Sequence, residues 1–299
     1  MLKDSAPAGS LPRVSIGMPV WNGARWLEET LGTLRAQTLS DFELIISDNA
    51  STDETQAICA RHAAEDRRIR HYRNERNIGV NRNHVGLVAL ARAEYFKWAS
   101  SHDLCDRRFL ECCVAALEAE PGAVLAYPNT LVFSESLEDA RPYEEEVAAS
   151  QESAAARFAH VLCNTRMNNA MHGVFRTRML RRAHAMGSYW GADIVMMAEL
   201  ALFGKFVQVP EGLFFRRVSK ESFTPMRSQS ERAQFFEPDA TSPLRWQNWK
   251  YLSSVLRNAM ISAPFGPEKV SAVLFASKFT MWRRNRLGRD IVDAMRIGR

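Results

Sequence analysis

Between residues 13 and 135 the chain changes its hydrophobic period again and again, from brief β-rich runs to stretches spaced like helices. Val14 to Met18, Phe42 to Ser47, Ile69 to Arg73, Tyr95 to Ala99 and Ala123 to Tyr127 are short apolar runs suited to strands. Between them, Ala24 to Gln37 sets Leu27, Leu31 and Leu34 on one helical face. Ser51-Thr52-Asp53-Glu54 reads as a capping box opening a helix that runs to about Asp66, and Asn81 to Ala93 and Arg107 to Glu118 complete the set. Such alternation predicts a layered α/β fold with a mainly parallel central sheet flanked by helices. In sheets of this kind ligands bind beyond the carboxyl ends of the strands. Attention therefore falls on the loops Pro19 to Asn22, Asp48 to Ser51, Arg76 to Asn83 and Ser100 to Asp106.

The second half is less regular. Ser134 to Ser153 is acidic and poor in large apolar residues, which suits an exposed connection. Ile194, Met197, Ala198 and Ala201 return to helical spacing, and Phe206 to Val209 and Leu213 to Arg217 read as two strands. Lys220 to Pro243 is polar and reads as loop, and the chain shows no internal repeats. From Leu244 to Arg299 eleven Lys/Arg stand against three acids, an excess of +8. The net charge is +5, which leaves the remainder near −3. Trp246, Trp249, Tyr251, Phe265, Phe275, Phe279 and Trp282 punctuate that basic stretch, a mixture that suits peripheral membrane contact or a helical subdomain with a solvated face. Nucleic acid is not an expected partner.

No apolar run approaches the roughly 20 residues needed to cross a bilayer. The start of the chain lacks the apolar core of a secretory signal, so a soluble cytoplasmic protein is expected, with peripheral attachment to the inner face of a membrane as a variant. Five cysteines, odd in number and without a CxxC pair, point to reduced thiols rather than a disulfide framework or a zinc site.

The loop residues carry the candidate chemistry. Pro19, Trp21 and Asn22 follow the first strand, and Asp48 and Asn49 the second. The Asp48 carboxylate can accept hydrogen bonds from a base or ribose, while Asn49 and Ser51 tighten the turn. Asn77 and Gly79 follow the third strand, and Arg82 beyond them can pair with a phosphate. After the fourth strand, Asp103 can hold a Mg²⁺ or Mn²⁺ ion whose other ligands are substrate phosphates, and His102 offers a nitrogen or a ribose contact. Turn formation and helix capping explain Asp48, Asn49 and Asp103 equally well when each is taken alone. Neither GxGxxG nor a Walker sequence is present, and the loop at Pro19 to Gly23 lacks the Gly-rich basic character of a nucleotidyltransferase. Arg216 and Arg217 can face a diphosphate or an anionic acceptor, Trp190 can stack on a sugar ring, and His172 can line an acceptor pocket.

The run GMPVWNGARWLEETLGTLRAQTLSDFELIISDNASTDET, followed by RNERNIG and ARAEYFKWASSHD, closely resembles the opening of the family 2 glycosyltransferases. The likeness continues through FLECC to Tyr127-Pro128, and Tyr189 to Arg217 resembles the acceptor-side segment of that family. The resemblance implies a GT-A fold over residues 1–243, divided into a nucleotide-sugar half (13–130) and an acceptor half (157–217). A helical extension over 244–299 would follow. It also implies a nucleoside-diphosphate sugar donor (UDP-, GDP- or dTDP-linked), Mg²⁺ or Mn²⁺, and inversion at the anomeric carbon. Carried onto this sequence, Pro19 and Asn22 lie at the nucleotide, Asp48 faces the base and Arg82 the base or diphosphate. Asp103 then binds the metal and Asp193 is the catalytic base, with Glu199 as the weaker candidate. A saccharide or lipid-linked acceptor in surface polysaccharide or glycolipid assembly is the matching expectation. The family usually carries two adjacent acids after its fourth strand, where this chain has Ser101-His102-Asp103. That departure motivates the alternative of a non-catalytic nucleotide-sugar-binding or scaffold protein.

Overall fold

The computed structural model describes residues 11–144, 147–218, 235–239 and 246–297, with side chains as far as Ile291. The stretch 220–243, read above as loop, lies largely outside these residues. Four strands open the fold: β1 (Val14–Val20), β2 (Phe42–Asp48), β3 (Ile69–Arg73) and β4 (Tyr95–Trp98). They are linked by α1 (Ala24–Arg35), α2 (Thr55–Glu65) and α3 (Val80–Leu90). All four are parallel, in the order β3-β2-β1-β4. Val20 lies level with Asp48, and Asp48 with Arg73, so the loops leaving three strands emerge along one edge.

The chain continues through β5 (Leu104–Cys105), α4 (Phe109–Ala119), β6 (Ala123–Phe133), β7 (Arg141–Pro142) and α5 (Ala154–Asn164). Then come β8 (Val174–Arg176), α6 (Thr177–Arg182), α7 (Ala192–Phe203) and β9 (Lys205–Arg217). β8 pairs antiparallel between β4 and β6, and β9 runs parallel to β6 along a long irregular ladder. The long pairings are thus parallel and the short ones antiparallel, so the mainly parallel sheet expected from the alternation is present in mixed form. Phe206 to Val209 and Leu213 to Arg217, read as two strands, are one bent strand. Register shifts against Pro128 and Asn129 absorb Pro210 to Gly212 without breaking it.

Both sheet faces are covered. On one, Leu27, Leu31 and Leu34 of α1 and Phe109, Leu110 and Cys113 of α4 pack against Ile16, Leu44 and Ile46. Burial of each such leucine is worth about 1.5–3 kcal/mol. On the other face, α3, α5 and α7 pack over Phe96, Trp98 and Phe175. The terminal helices α8 (Gln247–Ser262), α9 (Pro267–Trp282) and α10 (Arg284–Ile297) follow. Leu252, Val255, Ala272, Ala276 and Phe279 join the same apolar cluster as Phe158 and Leu200, so α8 and α9 share the main core. All five cysteines are free, with Cys59, Cys105 and Cys113 buried. Among the described residues no helix is long and apolar enough to cross a membrane.

Candidate active site

Three post-strand loops meet at the carboxyl edge. Asn22 donates its backbone N–H to Ser51 Oγ at 2.9 Å, and its Oδ1 accepts from the Thr52 N–H at 2.8 Å. A side chain added at Gly23 would strike Ser101 Oγ, so the first loop lies between the second and the fourth. Asn22 and Ala50 both hold positive φ (50° and 60°), one in each of two adjoining loops. Such left-handed conformations persist in non-glycine residues only where the surroundings over-determine them. Pro19 is the penultimate residue of β1, opposite Ser47, and β4 pairs with β1 only as far as Gly17, so its missing N–H leaves no gap in that ladder.

The anticipated capping box takes another form. Ser51 Oγ serves Asn22 instead, and α2 begins at Thr55, with Asp53 accepting from the N–H groups of Thr55 and Ala24. Asp48 reaches the expected edge fully buried, one oxygen accepting from Ser51 N–H at 2.9 Å and the other paired with Arg73. Asn49 binds Asn77 and Asn74 side chains and the Ile78 N–H, and Asn77 also accepts from Gly79 N–H. Trp21 is half exposed and Arg82 lies exposed in the first turn of α3.

Asp103 is turned inward. Its Oδ2 accepts from Ser100 Oγ at 2.6 Å and its Oδ1 from the Arg217 N–H at 2.9 Å. Burial alone would raise its pKa, but His102, the Ser100 hydrogen bond and Arg216 outweigh that and hold the carboxyl below its ordinary value. His102 Nε2 stands 4.0 Å from Asp103 Oδ1, with its ring edge on Trp26. Among the described residues no three His, Cys, Asp or Glu side chains converge as a ligand set. One imidazole and one carboxylate edge, 4.0 Å apart, fit a divalent cation only if phosphate and water complete its shell.

β9 closes the other side of this loop. Arg216 Nη1 donates to Met167 O at 2.5 Å and to Asn169 Oδ1 at 2.6 Å. Arg217 points to the opposite face, buried, and donates to Glu29, His102 O, Ser134 O and Glu135 O. Its guanidinium therefore anchors loops, whereas that of Arg216 borders the site. Asn168 lies beside Asn169 with φ 54°, and its amide donates to Asp193 Oδ2 at 2.8 Å. Asp193 sits in the first turn of α7, where the helix dipole favours a carboxylate, behind Gly191 in the left-handed region. His84 approaches it from α3. Burial lowers the His84 pKa, and the Asp193 charge pulls the other way. A continuous rim thus runs from His102 and Asp103 through Arg216, Asn169 and Asn168 to Asp193.

Glu199 is buried elsewhere, accepting from His184 Nδ1 and N–H and from Ser262 Oγ, so it ties α7 to α8. Trp190 is 61% exposed, with Phe236 at 6.4 Å. His172 is half-buried and stacked on Phe214 at 5.1 Å, and desolvation of the ring drives its pKa to about 3, so the ring is neutral. Two residues of this rim carry no signal in the strand-loop pattern. Asn168 is one. Asn169 is the other; Lys97, buried in β4 and not part of the rim, donates its ammonium to His172 O at 2.6 Å and lies over Phe109. An Asn-Asn pair after a helix, tolerant of the left-handed region, is the only trace of the first.

The fold is shared with solved GT-A glycosyltransferases. The first 349 residues of TarS from S. aureus, solved with UDP, superpose at a TM-score of 0.65 with 14% identity, over 91% of this chain and 73% of that one. The mannosyltransferase PcManGT of Pyrobaculum calidifontis, solved with GDP-Man and Mn²⁺, gives 0.54 and 17% identity over 92% and 76%. In sequence, the chondroitin synthase of Escherichia coli is 30% identical over 37% of this chain and 16% of its own length. The chain spans less than half the length of the curated relatives it matches. The model described as Glycosyl transferase family 2 matches residues 15–187, more than half of the chain, and the protein belongs to that family.

Proposed function

We propose that the protein transfers a sugar from a nucleoside-diphosphate donor to an acceptor hydroxyl with inversion at the anomeric carbon. The observation that carries this reading is the rim joining Asp193 to the Asp103 loop through Asn168, Asn169 and Arg216. Asp193 takes the proton of the acceptor hydroxyl as its oxygen bonds to the anomeric carbon. The bond to the diphosphate breaks on the opposite face, and a single displacement inverts the centre. Arg216, half-buried at the edge of the Asp103 loop, offsets the negative charge that builds on the departing diphosphate. Asp103 and His102 are the residues that would hold a Mg²⁺ or Mn²⁺ ion, and its chemistry there is further neutralisation of that leaving group.

Asn22, Asp48, Asn49 and Asn77 shape the donor loops, and Trp21 and Arg82 flank them. Trp190, exposed two residues after Ser188, is suited to stacking on the acceptor sugar. The ligands of the structural neighbours, UDP and GDP-Man, support a nucleotide-sugar donor. The likeness to a chondroitin synthase supports a saccharide acceptor, which in our reading belongs to surface polysaccharide or glycolipid assembly.

A screen of UDP-, GDP- and dTDP-sugars with Mn²⁺ tests the proposal, reading product mass and anomeric configuration by NMR. Asp193→Asn should lower transfer by about 10²–10⁴ and leave donor binding intact. Full turnover in that variant would refute the assignment. A second reading, donor binding without transfer, is favoured by His102 standing where an acid is usual. Nucleotide-sugar binding with no transfer or hydrolysis under any metal would select it.

A further inference from the structure

α9 is apolar on two opposite sides. Its inner side, Ala272, Ala276 and Phe279, lies in the main core. Its outer side carries Val270, Leu274 and Met281, which are 59%, 56% and 61% exposed. Spaced i, i+4 and i+11, these three share one helical face. Phe265, 91% exposed in the loop before the helix, extends the set, as do Met260 and Ile261 in the last turn of α8 and Trp282 at the end of α9. Single exposed apolar residues are ordinary, but a helix apolar on both sides normally has both sides covered.

Charge indicates what covers the outer one. Between Trp246 and Ile291 there are eight Lys/Arg and two acids. Both acids face inward. Glu268 accepts from Ser153 Oγ and the Ala155 N–H, and Asp290 from the backbone and side-chain amides of Asn248. The cations lie outward: Lys278 interrupts the apolar stripe, Lys269 sits over the Phe265 ring, and Arg284, Arg286 and Arg289 are exposed beyond Trp282. An apolar ridge bordered by cations, with no exposed acid among the described residues from Trp246 to Ile291, complements anionic lipid headgroups over acyl chains. Two copies of this face would oppose like charges, which disfavours self-association.

We propose that the outer face of α9, with the α8–α9 corner and the start of α10, docks on an anionic membrane surface. The inner side of the same helices supports the acceptor loop. Tyr251 of α8 packs where a side chain on Gly191 would stand, and Gln247 accepts from the Trp190 N–H. Docking therefore orients the Asp193 side of the molecule relative to the bilayer, where a lipid-linked acceptor would lie. The docking itself does not depend on the chemistry proposed for Asp193.

Co-sedimentation of the full chain with vesicles tests this, using phosphatidylcholine alone and phosphatidylcholine with about 30% phosphatidylglycerol. Binding to the anionic vesicles only, weakened by high salt, is expected. The combined variant Phe265→Ser, Leu274→Ser and Met281→Ser should lose binding by about tenfold or more while keeping its melting temperature, since all three side chains are exposed. Lys278→Glu with Arg284→Glu should lose it as well. Failure to bind anionic vesicles, equal binding to neutral ones, or undiminished binding of the triple variant would overturn the proposal. So would a dimer in light scattering that the triple variant disperses. Asp193→Asn should bind vesicles like the parent, so this inference and the transfer reaction fail separately.

Discussion

Asn168 holds Asp193 by a 2.8 Å amide-to-carboxylate hydrogen bond, from a backbone in the left-handed region. The bond fixes one carboxylate oxygen, and under the proposed mechanism the other takes the proton of the acceptor hydroxyl. Asn168→Gly keeps the backbone conformation and removes the amide. It should lower kcat by about tenfold with donor KM unchanged, against a loss of about 10²–10⁴ for Asp193→Asn. Asn168→Ala adds backbone strain of about 1 kcal/mol and should also lower the melting temperature. Steady-state kinetics of the three variants check the assignment, and an unchanged kcat in Asn168→Gly would remove Asn168 from the positioning of the base.

His102 stands 4.0 Å from Asp103, an imidazole where family members usually carry an acid. Imidazole favours transition-metal ions over Mg²⁺, so Mn²⁺ should support transfer about tenfold better than Mg²⁺ in the parent protein. His102→Asp should narrow that gap by restoring oxygen ligation. Titration of each ion with a fixed nucleotide, followed by tryptophan fluorescence and by rate, reads both effects. Equal preference before and after the substitution would show that His102 does not meet the ion.

Gly79 opens α3 at φ +86°, with the Phe236 carbonyl oxygen 2.1 Å from where a Cβ would stand. Asp239 next along that segment pairs with Arg76. Gly79→Ala must therefore displace segment 235–239 from the third loop as well as adopt a strained backbone. A loss of about 1–3 kcal/mol in stability and weaker donor binding are expected, measured by denaturant unfolding and calorimetry.

Glu43 is nearly fully buried in β2 and accepts from Ser15 Oγ, Arg70, Arg92 and the Arg92 N–H. Burial alone would raise its pKa, but these donors together carry it below the ordinary value of 4.5. A depressed carboxyl pKa contributes stability that is fully present above pH 4.5 and lost as pH falls toward the folded value. Glu43→Gln removes the buried carboxylate that Arg70 and Arg92 share and should cost about 3–5 kcal/mol at neutral pH. The difference between parent and variant should shrink on acidification. A gap that stays constant from pH 7 to below 4.5 would contradict this linkage.

The first, parallel-stranded half was legible because each of its elements answers to a local rule. The spacing of Leu27, Leu31 and Leu34 places α1, and the run Ile69 to Arg73 is β3 to the residue. The second half obeys tertiary rules instead. Val174–Arg176 is too short to announce itself and becomes a strand because β4 and β6 flank it. α5 begins at Ala154, directly after the stretch Ser134 to Ser153 that reads as an exposed connection, and Ser153, the last residue of that stretch, caps it by accepting from the Ala156 N–H. At the candidate site, the loops were locatable from strand ends, but the direction of each side chain was not. Asp48 and Asp103 turn their carboxylates into the protein because Arg73, Ser100 and the Arg217 N–H wait there, partners that are 25, 3 and 114 residues away. Asn168 belongs to no strand end at all, and only the fold brings it to Asp193.

Arg216 and Arg217 are consecutive residues of β9, and the pleat sends one guanidinium toward the rim and the other into the packing beneath it. Removing a single residue between Gly212 and Arg216 would shift that parity. The anchoring cation would then face the sugar-transfer side, and the cation meant for the rim would be driven against Glu29 and Trp26. The two sides of the molecule are thus coupled through one strand's odd-even count, and a shortened β9 would disturb reactivity and folding together.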